Sequence, residues 1–231
     1  MKITDLASTP KEIITDIDKL WEFSDVINPA NEGELMQEII LALKATMRSN
    51  NLTYLAAPQI GYTKQIFCIK FDKNDYRTFL NPMIENVVSS TYHFARETCA
   101  SVPGKTFIIP RFGTIQMCFV TPMGEYKTTK LMGVAAEVAQ QCIDLLNGNP
   151  IVNIGLEIDE DFDNATDDER AEIIKMYVES LDLRSKKLRE EIDNDKDLKQ
   201  IEDASRFIQG VNDGSIQIDN SPLTETNSDK E

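Results

Sequence analysis

Residues 141–145 read Gln-Cys-Ile-Asp-Leu, inside the helical pattern AEVAQQCIDLLNG of residues 136–148, which Gly148 closes. On a helix, positions 141, 142 and 145 share one face. An i, i+1, i+4 set of that kind can hold two metal ligands and a base. Here the three positions carry an amide, a thiol and an isobutyl group. The frame of a metal-binding helix is present and its ligands are not. His93 is the one histidine of the chain, which excludes a two-histidine site, and it is read as a strand histidine rather than a catalytic group. The four cysteines, Cys68, Cys99, Cys118 and Cys142, form no CxxC pair and no dense disulfide spacing, so a reducing, cytoplasmic or intracellular setting is expected.

The elements that must position these residues follow from periodicity. Residues 33–48 place Leu35, Met36, Ile39, Ile40, Leu43 and Met47 at helical spacing, and Asn50-Asn51 ends the run. Strand-like pieces follow at 65–71, 77–88, 91–97, 107–112 and 114–121, with turn signals at residues 72–75 and 122–124. A second helix spans 133–147. Helix, short strands, helix is the order of an α+β domain with mostly antiparallel strands, and Trp21 and Phe23 are the expected anchors of the N-terminal 30 residues.

The chain of 231 residues carries a net charge of −15, unevenly placed. From Glu157 onward there are 23 acidic against 10 basic residues, while residues 1–156 hold 16 against 14. Such a charge argues against nucleic acid as a partner. No signal peptide is expected, and no apolar run approaches the ~18–20 residues that cross a bilayer, so no membrane partner is expected either. The expected organisation is a domain over 1–155, an acidic linker over 156–164, a helical extension over 165–210 and a disordered acidic tail over 211–231. Thr166 and Glu169 form a capping box, and Ile174, Val178, Leu181, Ser185, Leu188 and Ile192 repeat at heptad-like spacing. That seam makes helix 166–193 the expected contact for a protein partner or sister chains in a multi-subunit assembly, with folding back onto the domain as the alternative.

Three stretches in register resemble the peptide deformylase family over roughly residues 33–150. Leu52-Thr53-Tyr54-Leu55-Ala56-Ala57-Pro58-Gln59 is similar to the family's G-x-G-x-A-A-x-Q motif. Glu97-Thr98-Cys99-Ala100-Ser101 is similar to E-G-C-x-S, and residues 140–148 are similar to Q-H-E-x-D-H-L-N-G. Leu80-Asn81-Pro82 and Arg111 also suit the family. The resemblance implies the deformylase-like fold with an added C-terminal acidic helical extension. In the family a cysteine and two histidines hold a divalent metal, a glutamate moves the proton, and a glutamine and a backbone N–H stabilise the oxyanion as formyl leaves an N-terminal methionine. By that resemblance the metal cysteine corresponds to Cys99, the histidines to Gln141 and Leu145, and the glutamate to Cys142. The oxyanion donors correspond to Gln59 and the Ala100 N–H. Leu52, Tyr54 and Thr98 stand where the motifs have glycine, and they are expected to fill the peptide's space.

Neither leucine nor a lone amide completes a metal site, which needs three protein ligands and an open position. The expectation is therefore a chain without cofactor or metal that is not an enzyme: a structural or protein-interaction module, with a phage virion component as the furthest analogy. The alternative is a divergent hydrolase or deformylase with a rebuilt cysteine-based site at Cys99 and Cys142. The two cysteines are read as buried reduced thiols, with a disulfide or a new metal site as alternatives. Gln59 is either an oxyanion donor or an amide serving local backbone groups.

Overall fold

The apolar positions of residues 33–48 do form one helix, α1 (Gly33–Ser49), which buries Met36, Ile39, Ile40, Leu43 and Met47. It stops where the Asn50 N–H turns back to the Thr46 carbonyl and Asn51 takes φ 52°. The computed structural model describes residues 9–88 and 92–192. Within them, β1 (Tyr54–Ala56), β2 (Ile66–Asp72), β3 (Asp75–Val87), β6 (Thr114–Val120) and β7 (Tyr126–Met132) make a five-stranded sheet in the order β1-β2-β3-β6-β7. A second sheet has the order β4-β5-β8, from Tyr92–Cys99, Val102–Phe112 and Leu156–Ile158. All pairings within the two sheets are antiparallel.

The larger sheet is covered on both faces, which is why β2 reads as an almost unbroken apolar run. Ile66 and Cys68 point to α1 with Leu55, Leu80 and Val120. Phe67 and Ile69 point the other way, with Phe79, Ile115, Met117 and Phe119, onto α2 (Val134–Leu146). Phe67 stacks on Phe79 at 4.9 Å between centroids, and Phe119 meets Phe79 edge-on at 4.8 Å. Helix α2 is the central one, burying Ala136, Ala139, Cys142, Leu145 and Leu146.

The N-terminal segment is tied down at points other than the expected ones. Trp21 is 56% exposed and Phe23 only half-buried, whereas Leu20 and Ile27 enter the core. The Asn81 side chain clamps Ile27 through both of its backbone groups, at 2.9 and 2.8 Å. The Ser24 N–H donates to the Leu146 carbonyl at the end of α2. There Gly148 has φ +71°, and an added Cβ would lie 2.5 Å from the Trp21 carbonyl oxygen.

Beyond Gly155 the chain does not run as a bare linker. After the short α3 (Ile151–Ile154), Leu156 and Ile158 alternate inward along β8, which pairs with β5 from Ile108 to Thr106. The Asp159 side chain then caps α4 (Glu160–Asn164) by accepting from the Asp161 and Phe162 N–H groups. The capping box opens α5 (Asp167–Ile192) as expected, with the Glu169 N–H donating to Thr166 Oγ1 at 3.3 Å and the Thr166 N–H donating to the Glu169 carboxylate at 2.8 Å. The first half of the seam folds back. Ile174 packs on Ile108, Ile158 and Phe162, Tyr177 is buried, and its hydroxyl donates to the Ile154 carbonyl. The side chains of Ser185, Leu188 and Ile192, the rest of the helical extension expected up to residue 210 and the tail over 211–231 lie outside the described residues.

Candidate functional site

Gln59 sits in the 3-10 turn Ala57–Ile60 that follows β1, and none of it reaches solvent. Its Oε1 accepts the Ala56 N–H at 3.0 Å, which fixes the amide's orientation. The Nε2 then faces the end of β4, donating to Cys99 Sγ at 3.5 Å and to Ser101 Oγ at 3.2 Å. One end of this amide serves the backbone and the other addresses the thiol. Cys99 lies where β4 turns into β5, at a register shift after Glu97, and is 5% exposed. Burial pushes its thiol up, and the charge of Glu97 adds to this against hydrogen bonds from Ser101 and Val102. Ala100 follows, half-buried and packed towards α1.

Tyr54 closes the site from the β1 side. Its ring packs on the cluster that holds Cys99 and Cys142, and its hydroxyl donates to the exposed Thr98 carbonyl at 2.6 Å. The same carbonyl accepts Gln141 Nε2 at 3.2 Å. Tyr54, Thr98 and Gln141 therefore form one latch over the thiol. Burial raises the Tyr54 phenol, so it stays a donor. Leu52, by contrast, packs against the α1 cluster on the far face of the sheet and takes no part in this site. Its position before β1 begins puts it on the α1 side. Cys142 is fully buried, with its thiol raised well above the ordinary value by desolvation and the nearby Cys99. Leu145 is core. The described cysteines are all free thiols.

An ion network was not foreseen as such. Arg111 on β5 gives its Nε and Nη2 to the two Glu97 oxygens, at 2.7 and 2.9 Å, and its Nη1 to Asp144 on α2 at 2.5 Å. The Arg111 and Glu97 side chains are 5% and 8% exposed. Burial opposes the guanidinium charge, but the bonds to Glu97 and the field of Asp144 outweigh it and raise its pKa. Gln140 adds a second tie between α2 and β5, accepting the Phe112 N–H at 3.0 Å and donating to its carbonyl at 2.9 Å. These contacts hold positions 99 and 141–142 at a fixed spacing. His93 is elsewhere: six residues up β4, ~20 Å at strand rise, where it pairs with Glu137 at 2.7 Å.

The residues matched by resemblance to metal ligands do not fit a divalent ion. Cys99 offers sulfur, Gln141 has turned its NH2 to the Thr98 carbonyl, and Leu145 has no lone pair. Among the described residues no three His, Cys, Asp or Glu side chains gather in a metal-holding group. No helix among them is long and apolar enough to cross a membrane.

Residues 10–155 match the family described as polypeptide deformylase. The peptide deformylase of Orientia tsutsugamushi is 25% identical over 166 residues, covering 66% of this chain and 87% of that one. That of Dictyoglomus turgidum is 30% identical over 124 residues, covering 54% and 79%. The solved class I type b peptide deformylase of Acinetobacter baumannii superposes with a TM-score of 0.58 at 26% identity, over 62% of this chain and 98% of that one. The Thermotoga maritima peptide deformylase gives 0.57 at 27%, over 63% and 97%.

These matches overturn the expectation of a non-enzyme serving as a structural module or virion part. Every one of them is to an enzyme family, and none is to an assembly protein. That expectation rested on the missing metal ligands, whereas the thiol, amide and hydroxyl of Cys99, Gln59 and Ser101 stay together. With the α+β architecture expected from its sequence and a matched span covering more than half of its length, the chain belongs to the polypeptide deformylase family.

Proposed function

We propose that this chain is a divergent hydrolase of the deformylase family, acting at the N-terminal acyl group of a peptide through a cysteine-based site. The observation that supports it is the 3.5 Å approach of Gln59 Nε2 to Cys99 Sγ, a nucleophile with a fixed hydrogen-bond donor beside it. In this reading the Cys99 thiolate forms a C–S bond to the acyl carbon, and Gln59 Nε2 with the Ala100 N–H holds the developing oxyanion. The C–N bond breaks, the amine leaves with a proton drawn from water, and a water molecule then cleaves the thioester to free the acid and the thiol. Cys142 is the wall behind the sulfur. His93 is too far away to act as base, so the thiolate has to form by its own ionisation. Burial opposes that ionisation, and the rate therefore rises with pH through and beyond the ordinary thiol value of 9.0. The latch of Tyr54 on Thr98 must open for a substrate to enter.

The test is release of formate and free amine from N-formyl-Met-Ala-Ser by the full chain between pH 7 and 10. The expected result is slow turnover that climbs with pH, vanishes in Cys99→Ala and persists in Cys142→Ala. Turnover that survives Cys99→Ala, or none above buffer at any pH, overturns the reading.

A further inference from the structure

Between β8 and α5 runs an open cavity of about 420 Å³. Gly155, Leu156 and Glu157 line one wall, and Ile173, Met176, Tyr177 and Ser180 line the other. It is flanked by a second stripe of α5, distinct from the seam that packs on the domain. Ile173, Met176 and Leu183 are 37%, 64% and 62% exposed, and they recur with Ser180 at helical spacing. Thioethers and branched chains at this level of exposure are a mark of an interaction surface.

The segment that carries the groove is acidic. Residues 155–183 hold eleven acidic side chains and two basic ones, Arg170 and Lys175. Glu157 stands on the β8 rim, with Lys105 at 2.9 Å. Glu172 and Glu179 flank Met176 on the α5 rim, at i−4 and i+3, with Lys175 3.7 Å from Glu172. At the rims themselves three carboxylates stand against two lysines, Lys105 and Lys175, an excess of one. An apolar floor between acidic rims favours a segment that carries large apolar side chains flanked by lysine or arginine.

We propose that the β8–α5 groove is a docking site for a basic, apolar-anchored segment of a partner protein. The apolar anchors enter between Leu156 and Met176, and the cationic flanks meet Glu157, Glu172 and Glu179. This is independent of the chemistry at Cys99.

The experiment titrates the full chain into a fluorescein-labelled 14-residue peptide of lysine and leucine in amphipathic order, with a glutamate–leucine peptide of the same pattern as control. The expected result is saturable one-to-one binding of the lysine peptide alone, weakening as salt rises from 50 to 300 mM. Met176→Glu adds negative charge and removes the anchor's contact. It should weaken binding at least tenfold, although non-specific attraction to an acidic surface would strengthen. Met176 is exposed, so the variant folds, as circular dichroism will verify. Glu172→Lys with Glu179→Lys should weaken binding and flatten the salt dependence. Equal affinity in Met176→Glu, equal binding of the glutamate peptide, or no saturation would overturn the proposal. So would light scattering that shows a dimer abolished by Met176→Glu, since the groove would then belong to a second copy of this chain.

Discussion

Removing one oxygen from the latch should open the buried thiol by a calculable amount. In Tyr54→Phe the ring keeps its packing on the Cys99 cluster, and only the 2.6 Å bond to the Thr98 carbonyl is lost. That carbonyl retains its bond from Gln141 Nε2 at 3.2 Å, so it is not orphaned and the cost stays near the ordinary net worth of a neutral hydrogen bond. About 1 kcal/mol then shifts the local opening equilibrium about fivefold. With opening and closing fast relative to labelling, alkylation of Cys99 by iodoacetamide at pH 8 should speed up by that same factor. Peptide mapping by mass spectrometry reads each cysteine separately. Cys68 lies across the sheet, against α1, and should keep its rate. If Cys99 accelerates less than twofold, Tyr54 is not the door. If Cys68 accelerates equally, the substitution has loosened the whole fold, and the latch argument fails.

Alkaline pH should destabilise the fold through its thiols. Burial pushes Cys68 up to about 11 and also raises Cys99, Cys118 and Cys142. Unfolded thiols ionise near 9 while these hold their protons, so their contribution is complete below pH 9 and lost as pH climbs towards 11. Melting temperatures from pH 7 to 10.5 should fall along that window, less steeply in Cys68→Ala, and a flat profile would contradict the burial argument. Glu97→Gln should cost about 3 kcal/mol by leaving Arg111 buried with only Asp144 as its charged partner, or about 6–12 °C in Tm for a domain of this size. A loss under 1 kcal/mol in urea titration would show the network to be dispensable. Gln141→His with Leu145→His, beside the retained Cys99, should take up one zinc ion by native mass spectrometry where the parent does not. Failure in a folded variant would show that the resemblance sets the helix in the wrong register.

Periodic elements were legible in the sequence, and α1 and α2 agree with expectation to within one or two residues. Strand β7 was missed because YKTTKLM keeps only Leu131 buried, so its pattern is that of a polar turn. Strand β8 was missed because its two inward residues sit among acids, and composition over 156–164 spoke louder than alternation. Motif order already suggested that Gln59, Cys99 and Gln141 lie near one another, as they do. The Arg111 network was not, since its bonds span 14 and 33 residues and only the folded chain brings them together. Trp21 misled because size suggested an anchor, whereas the clamp of Asn81 on Ile27 holds that segment without an aromatic.

Because the Ala56 N–H holds the oxygen of the Gln59 amide, that side chain is kept from turning over to present its oxygen instead of its NH2. The polarity met by anything beside the sulfur is thus built in. An anion or a carbonyl dipole is welcomed there and a cation turned away, at one point inside a molecule whose surface has the opposite preference.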